Sequence, residues 1–194
     1  MKRQNTLFLL TSIFCFTVAA IMACTDDNAT MPSINDMEEA LIDIPGTDSL
    51  ENRLTEKYGV PMYFYAQVNK RGDYFRRMFI DITALQAILT TSEIPGNALI
   101  AMETWFGESN PSTVFFRTKR AGEWLSGSFS PSAPDFGSAR SINSCNNCHN
   151  TAQATDFTFT QPLIAQSIQE NAVQFIECDM GPTGPCDLAT YLGQ

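Results

Sequence analysis

Histidine occurs once in these 194 residues, at position 149. A single imidazole excludes a multi-histidine metal cage and excludes ligation of one iron by two histidines of the same chain. Basic residues are scarce as well: 12 Lys and Arg face 21 Asp and Glu, a net charge of −9. That balance argues against a nucleic-acid partner. No internal repeat is visible. No apolar run reaches the roughly 20 residues that a membrane-spanning helix needs; the uncharged, mostly apolar run from Leu7 to Met22 has 16.

That run is informative for what surrounds it. Lys2 and Arg3 precede it, and it ends in Ile21-Met22-Ala23-Cys24. Two positive charges, a short apolar stretch and a small residue read as an export signal over residues 1–23. The tetrad resembles a bacterial lipobox, whose cysteine becomes the lipid-bearing N-terminus, here Cys24. Ordinary cleavage near Ala20 or Ala23 is the other reading. With the lipid, the protein is expected on a membrane of the bacterial cell envelope, facing the periplasm. Losing the signal removes two basic residues and no acidic ones, leaving −11. Residues 24–47 then read as an acidic tether. Positions 25–52 hold at least seven carboxylates and neither Lys nor Arg, a composition that stays solvated and is repelled by anionic lipid.

Six cysteines are present; Cys15 leaves with the signal and Cys24 takes lipid. Cys145-Asn146-Asn147-Cys148-His149 has the spacing at which two thiols add to the two vinyl groups of one porphyrin, while the next imidazole is carried beneath the iron. The motif points to one covalent haem c, with Cys145 and Cys148 as thioethers and His149 as proximal ligand. A redox dithiol, half a zinc site and a structural disulfide are the alternatives. The first calls for a βαβ setting and the second for four ligands, which the distant remaining cysteines supply poorly. Cys178 and Cys186 bracket the turn-rich stretch Asp179 to Pro185 and read as a disulfide formed in an oxidising compartment, against two free thiols.

Residues 48–194 suffice for one domain with one core. A short helix is expected over Leu50–Tyr58, then a strand over Met62–Val68, broken at Arg71-Gly72-Asp73. Tyr74–Asp81 alternates as a second strand, and Asp81 can cap a helix in which Ala84, Leu85, Ile88 and Leu89 share a face. After Pro95-Gly96-Asn97, three runs of β-rich composition, Ala98–Phe106, Thr113–Lys119 and Glu123–Phe129, are joined by short links and predict an antiparallel meander. Pro131–Gly137 reads as loop. Helical character resumes at the cysteine motif, and a last helix is expected over Pro162–Ile176, with Ile164, Ile168, Ala172 and Phe175 as its apolar stripe. The fold class is therefore α+β, an antiparallel β-sheet with flanking helices and a C-terminal haem c attachment helix.

The segment behind the motif, Ala152 to Thr160 with Asp156, Phe159 and Thr160, resembles the ending of the cytochrome P-460 family. Arg76-Arg77-Met78-Phe79-Ile80-Asp81 resembles that family's strand before its short helix, and Gly122-Glu123-Trp124 its Gly-x-Trp strand. The resemblance spans about residues 62–165. It implies a β-sheet cytochrome with a C-terminal haem helix. The hydroxylamine-oxidising members carry a lysine linked to the porphyrin, and running forward from Asp81 without gaps places Met102 there. No lysine lies between Lys70 and Lys119. The chain thus looks closer to the cytochrome c-prime-beta branch, which resembles a binder of nitric oxide and carbon monoxide with an apolar distal pocket. The oxidising members also use a distal carboxylate; the strand Thr113–Arg117 has none, and Glu103 and Glu108 are candidate substitutes.

With one imidazole available, the sixth iron position is open, watery or held by another side chain. Met102 is a candidate ligand or apolar lid, and Met180 a weaker candidate ligand. Phe106, Phe115 and Phe116 are candidates for a distal pocket, and Arg117 for an anion or haem propionate. An open position favours small gaseous or nitrogen-oxide ligands, whereas a thioether favours electron transfer. A redox partner protein and the membrane are the expected partners, with a homodimer also in view.

Overall fold

The computed structural model describes residues 53–107 and 110–193. The signal, Cys24, the tether and Glu108 lie outside the described residues.

Four strands follow the turn signals closely: β2 (Val60–Lys70), β3 (Tyr74–Asp81), β4 (Leu99–Phe106) and β5 (Pro111–Arg120). β6 (Glu123–Phe129) completes the meander, and all of these neighbours pair antiparallel. Ala121 and Gly122, both at positive φ, make the tight turn between β5 and β6. Between β3 and β4 stands α1 (Ile82–Thr91), with Asp81 at its N-cap. One carboxylate oxygen of Asp81 accepts from Ala84 N at 2.8 Å and the other from Leu99 N at 2.6 Å. A single side chain thereby ties the helix start to the strand that follows it.

The two ends of the domain depart from expectation. Where a short helix is expected before Tyr58, the chain forms β1 (Leu54–Lys57), which turns through Tyr58 and Gly59, both at positive φ, to pair with β2. The last long helix, α3 (Gln161–Gln169), stops seven residues early. Asn171 adopts a positive φ, and Gln174–Cys178 becomes β7, parallel to β2. Phe175 is consequently 66% exposed instead of lining a helical stripe. In both places pairing with β2 overrides local helical preference. β1 and β7 share one edge of β2, pairing with its first and second halves respectively.

A register shift between Phe64 and Ala66 re-aims β2. Tyr63 before it, Tyr65 within it, and Ala66 and Val68 after it all enter one core. That core sits under α1 and α3. Tyr63 and Tyr65 hydroxyls bond Ser167 Oγ at 2.8 Å and Thr160 Oγ1 at 2.7 Å, so the buried phenols are satisfied. The sheet's other face carries a second core built on Met62, Phe79, Leu99, Ala101, Phe116 and Phe129.

Candidate functional site

The motif lies on α2 (Asn143–His149). Positions i, i+3 and i+4 share a helical face, so Cys145, Cys148 and His149 all line one cavity of about 420 Å³. Both cysteines are free thiols of intermediate exposure. Past α2 the chain forms a 3-10 turn over Asn150–Thr155, then reverses through Asp156 and Phe157, both at positive φ. The reversal presents two carbonyls inward. Trp124 Nε1 donates to the Asp156 carbonyl at 2.9 Å, and the Asp156 carboxylate pairs with Lys119 at 2.7 Å.

The Phe157 carbonyl lies 2.7 Å from His149 Nδ1. A carbonyl only accepts, so Nδ1 carries the proton and Nε2 keeps its lone pair. Arg117 Nη1 donates to the same carbonyl and approaches Nδ1 at 2.8 Å; with Nδ1 protonated, the shared oxygen is what joins the two side chains. Burial first, and then the Arg117 charge, push the His149 pKa down to about 4, while the Phe157 carbonyl pulls the other way. The imidazole is therefore neutral at pH 7, as a metal ligand must be. The Arg117 guanidinium rests 4.8 Å above Trp124 and is itself pushed down to about 10 by burial. It is not the surface arginine that its residue type favours.

Sheet residues form the facing wall. Met78, Ile100 and Met102 are cross-strand neighbours on the cavity side of β3 and β4, and Phe115 pairs with Met102 from β5. Phe115 lines the cavity while 42% exposed. Phe106 does not line it: at the outer end of β4 it packs against Tyr74, ring centroids 4.7 Å apart and tilted, and is 58% exposed. Phe116 borders the cavity, but its ring packs in the second core against Phe129 and Phe136, at 5.7 and 5.1 Å. Strand alternation sends neighbours such as Phe115 and Phe116 to opposite faces. Met180 is 45% exposed in the loop after β7 and is not a lining residue.

Glu103 is also on the far side. It is fully buried and receives Lys57 Nζ at 3.0 Å, the Tyr58 hydroxyl at 2.7 Å and Trp105 Nε1 at 3.0 Å. It faces away from Met102 and is no distal carboxylate. Among the described residues no Asp or Glu lines the cavity.

The residues fit a porphyrin with a covalent edge. Two free thiols and one neutral imidazole converge, and the opposite wall is mostly apolar. The volume falls within the roughly 300–1,000 Å³ of small-molecule sites. Three polar atoms at its border, Arg76 Nε, Arg117 Nε and Ser126 Oγ, are buried with no partner among the described residues, which suits a group that brings acceptors of its own. Among the described residues no three His, Cys, Asp or Glu side chains converge as a metal cage, so the zinc alternative has no ligand set. Sequence reading missed Arg76, Ser126 and Tyr191. The first two share the inward alternation of Met78 and Trp124, which was the available signal.

A family model described as Cytochrome P460 matches residues 55–160. No curated protein matches the chain.

Proposed function

The chain belongs to the cytochrome P460 family, and from that premise we propose that it is a monohaem c-type cytochrome that binds or redox-processes small nitrogen-oxide or gas molecules at a five-coordinate haem. Family membership brings the haem cofactor; attachment through Cys145 and Cys148, ligation by His149 and the affinity with the c-prime-beta branch are our assignment. The observation that carries it is the contrast between the two sides of the cavity. One presents the chain's single imidazole with a free Nε2, and the other presents Met102 and Phe115 with no carboxylate among the described residues.

When bound, the haem supplies an iron that takes a diatomic ligand or an electron. The protein's own residues hold it and shape its surroundings. Phe157 and Arg117 fix the His149 ring, the thiols fix one porphyrin edge, and Met78, Ile100, Met102 and Phe115 keep the opposite side dry. A dry, apolar wall admits nitric oxide or carbon monoxide more readily than a hydrated anion. The sequence adds a lipid at Cys24, a periplasm-facing location and a redox partner protein to this proposal, with a homodimer as its possible assembly.

The test is an absorption spectrum of purified holoprotein, oxidised, reduced, and reduced with carbon monoxide. A five-coordinate ferrous spectrum that shifts with the gas supports the reading; a six-coordinate one that ignores it rejects it. Met102 on the facing wall favours one second reading, an electron carrier with a thioether ligand. That reading requires a weak near-infrared Met-to-iron band that vanishes in Met102→Ala. Hydroxylamine oxidation lacks its lysine and, among the described residues, a carboxylate at the cavity, and a steady-state assay with an artificial acceptor tests it.

A further inference from the structure

Part of the cavity wall comes from outside the family-matched segment. Residues 55–160 carry strands β2 to β6 and α2, yet Pro182, Thr183, Gly184, Pro185 and Tyr191 also line the cavity. The first four belong to the loop between β7 and the short helix α4 (Leu188–Tyr191).

Several ties hold this loop against the sheet. The Cys178–Cys186 disulfide closes its base, with Cα atoms 6.0 Å apart. Arg76 Nη2, on β3, donates to the Pro182 carbonyl at 2.8 Å, and Lys70 Nζ, on β2, donates to the Gly184 carbonyl at 3.2 Å. Arg71 holds the loop's start, its backbone N donating to the Met180 carbonyl at 3.1 Å and its side chain reaching Asp179. At the far end Cys186 N donates to the Tyr191 hydroxyl at 3.2 Å.

Lys70 and Arg76 are each more than nine-tenths buried, and neither has a carboxylate partner among the described residues. Burying such charges is costly. What they do visibly is grip loop carbonyls. Two prolines and a covalently closed ring further restrict the loop's backbone. The wall is built stiff.

We propose that the disulfide-closed loop 179–185, clasped by Lys70 and Arg76, is the specificity-determining wall of the cavity: it limits the bulk of ligand that reaches the haem, passing diatomic molecules and holding back branched ones. This rests on the cavity being the haem site. The experiment compares association of carbon monoxide and of tert-butyl isocyanide with ferrous holoprotein, for wild type, Cys178→Ser/Cys186→Ser and Lys70→Met, which releases the Gly184 carbonyl without altering a lining side chain. In both variants the isocyanide rate is expected to rise by about tenfold or more, the scale on which pocket shape discriminates small ligands, while the carbon monoxide rate changes far less. Lys70→Met leaves the disulfide in place, so the test does not depend on the cysteine variant folding. Absorbance is recorded first. Wild type without covalent haem overturns the cavity reading, whereas haem-loaded variants with an unchanged isocyanide-to-carbon-monoxide ratio overturn the loop's role alone.

Discussion

His149 Nδ1 is held 2.7 Å from the carbonyl oxygen of Phe157, a residue eight positions further along the chain. The bond exists because Asp156 and Phe157 both take positive φ, which turns that carbonyl back toward α2. It sets the tautomer and leaves Nε2 with a lone pair available to a metal.

Removing the ring while keeping the thiols isolates its role. His149→Gly is expected to retain haem through Cys145 and Cys148 but to lose the wild-type spectrum, which added imidazole restores by occupying the vacated space. A spectrum that imidazole leaves unchanged would show that His149 is not the ligand.

Glu103 separates a structural carboxylate from a reactive one. Glu103→Leu strands the Trp105 indole N–H and frees Lys57, so a loss of about 1–3 kcal/mol in urea unfolding is expected for the unsatisfied buried donor. Carbon monoxide association in the same variant should match wild type. Altered gas kinetics would place Glu103 in communication with the iron.

Gly127 tests the second core. A Cβ there would run into the Phe116 ring, which packs directly over the glycine. Gly127→Ala is expected to cost about 1–3 kcal/mol as overpacking, and Phe116→Leu in the same chain should recover part of it. A double-mutant cycle measures the coupling; additive losses would refute the clash.

Lys70 gives the stability a specific pH dependence. Burial, reinforced by nearby Arg76, pushes its pKa from 10.5 down to about 8. Between those values the unfolded chain binds the extra proton, so the folded state gains stability as pH rises through the window, while at pH 7 the full cost of the buried ammonium is present. Against Lys70→Met, wild type should therefore gain in relative stability between pH 7 and 10. A difference that stays constant with pH contradicts the buried charge.

Local signals made much of the sheet legible. Arg71-Gly72-Asp73, Pro95-Gly96-Asn97 and Ala121-Gly122 mark breaks that sequence-adjacent strands need, and Asp81 announces α1 because a cap bonds residues only three apart. β7 was hidden for the converse reason: it is stabilised by pairing with β2 across more than a hundred residues, a contact that composition in a short window does not encode. β1 is a hairpin neighbour of β2, and there the polar, charge-bearing run before Tyr58 reads as helix until the Tyr58-Gly59 turn folds it back.

The sequence by itself determined which groups stand on the motif side of the cavity, two thiols and one imidazole. Cysteine spacing and the presence of one histidine are local facts, and one helical turn converts them into a shared face. It also determined what is missing, the lysine between positions 70 and 119. Only the tertiary structure decided the opposite side. Alternation separates Met102 from Glu103 and Phe115 from Phe116, but which set faces the cavity depends on where α2 docks and how the sheet pairs. Likewise, Arg117 meets His149 and the loop after β7 becomes a cavity wall through long-range packing. Such contacts form when the chain buries its apolar surface as a whole, and no stretch of sequence carries them alone.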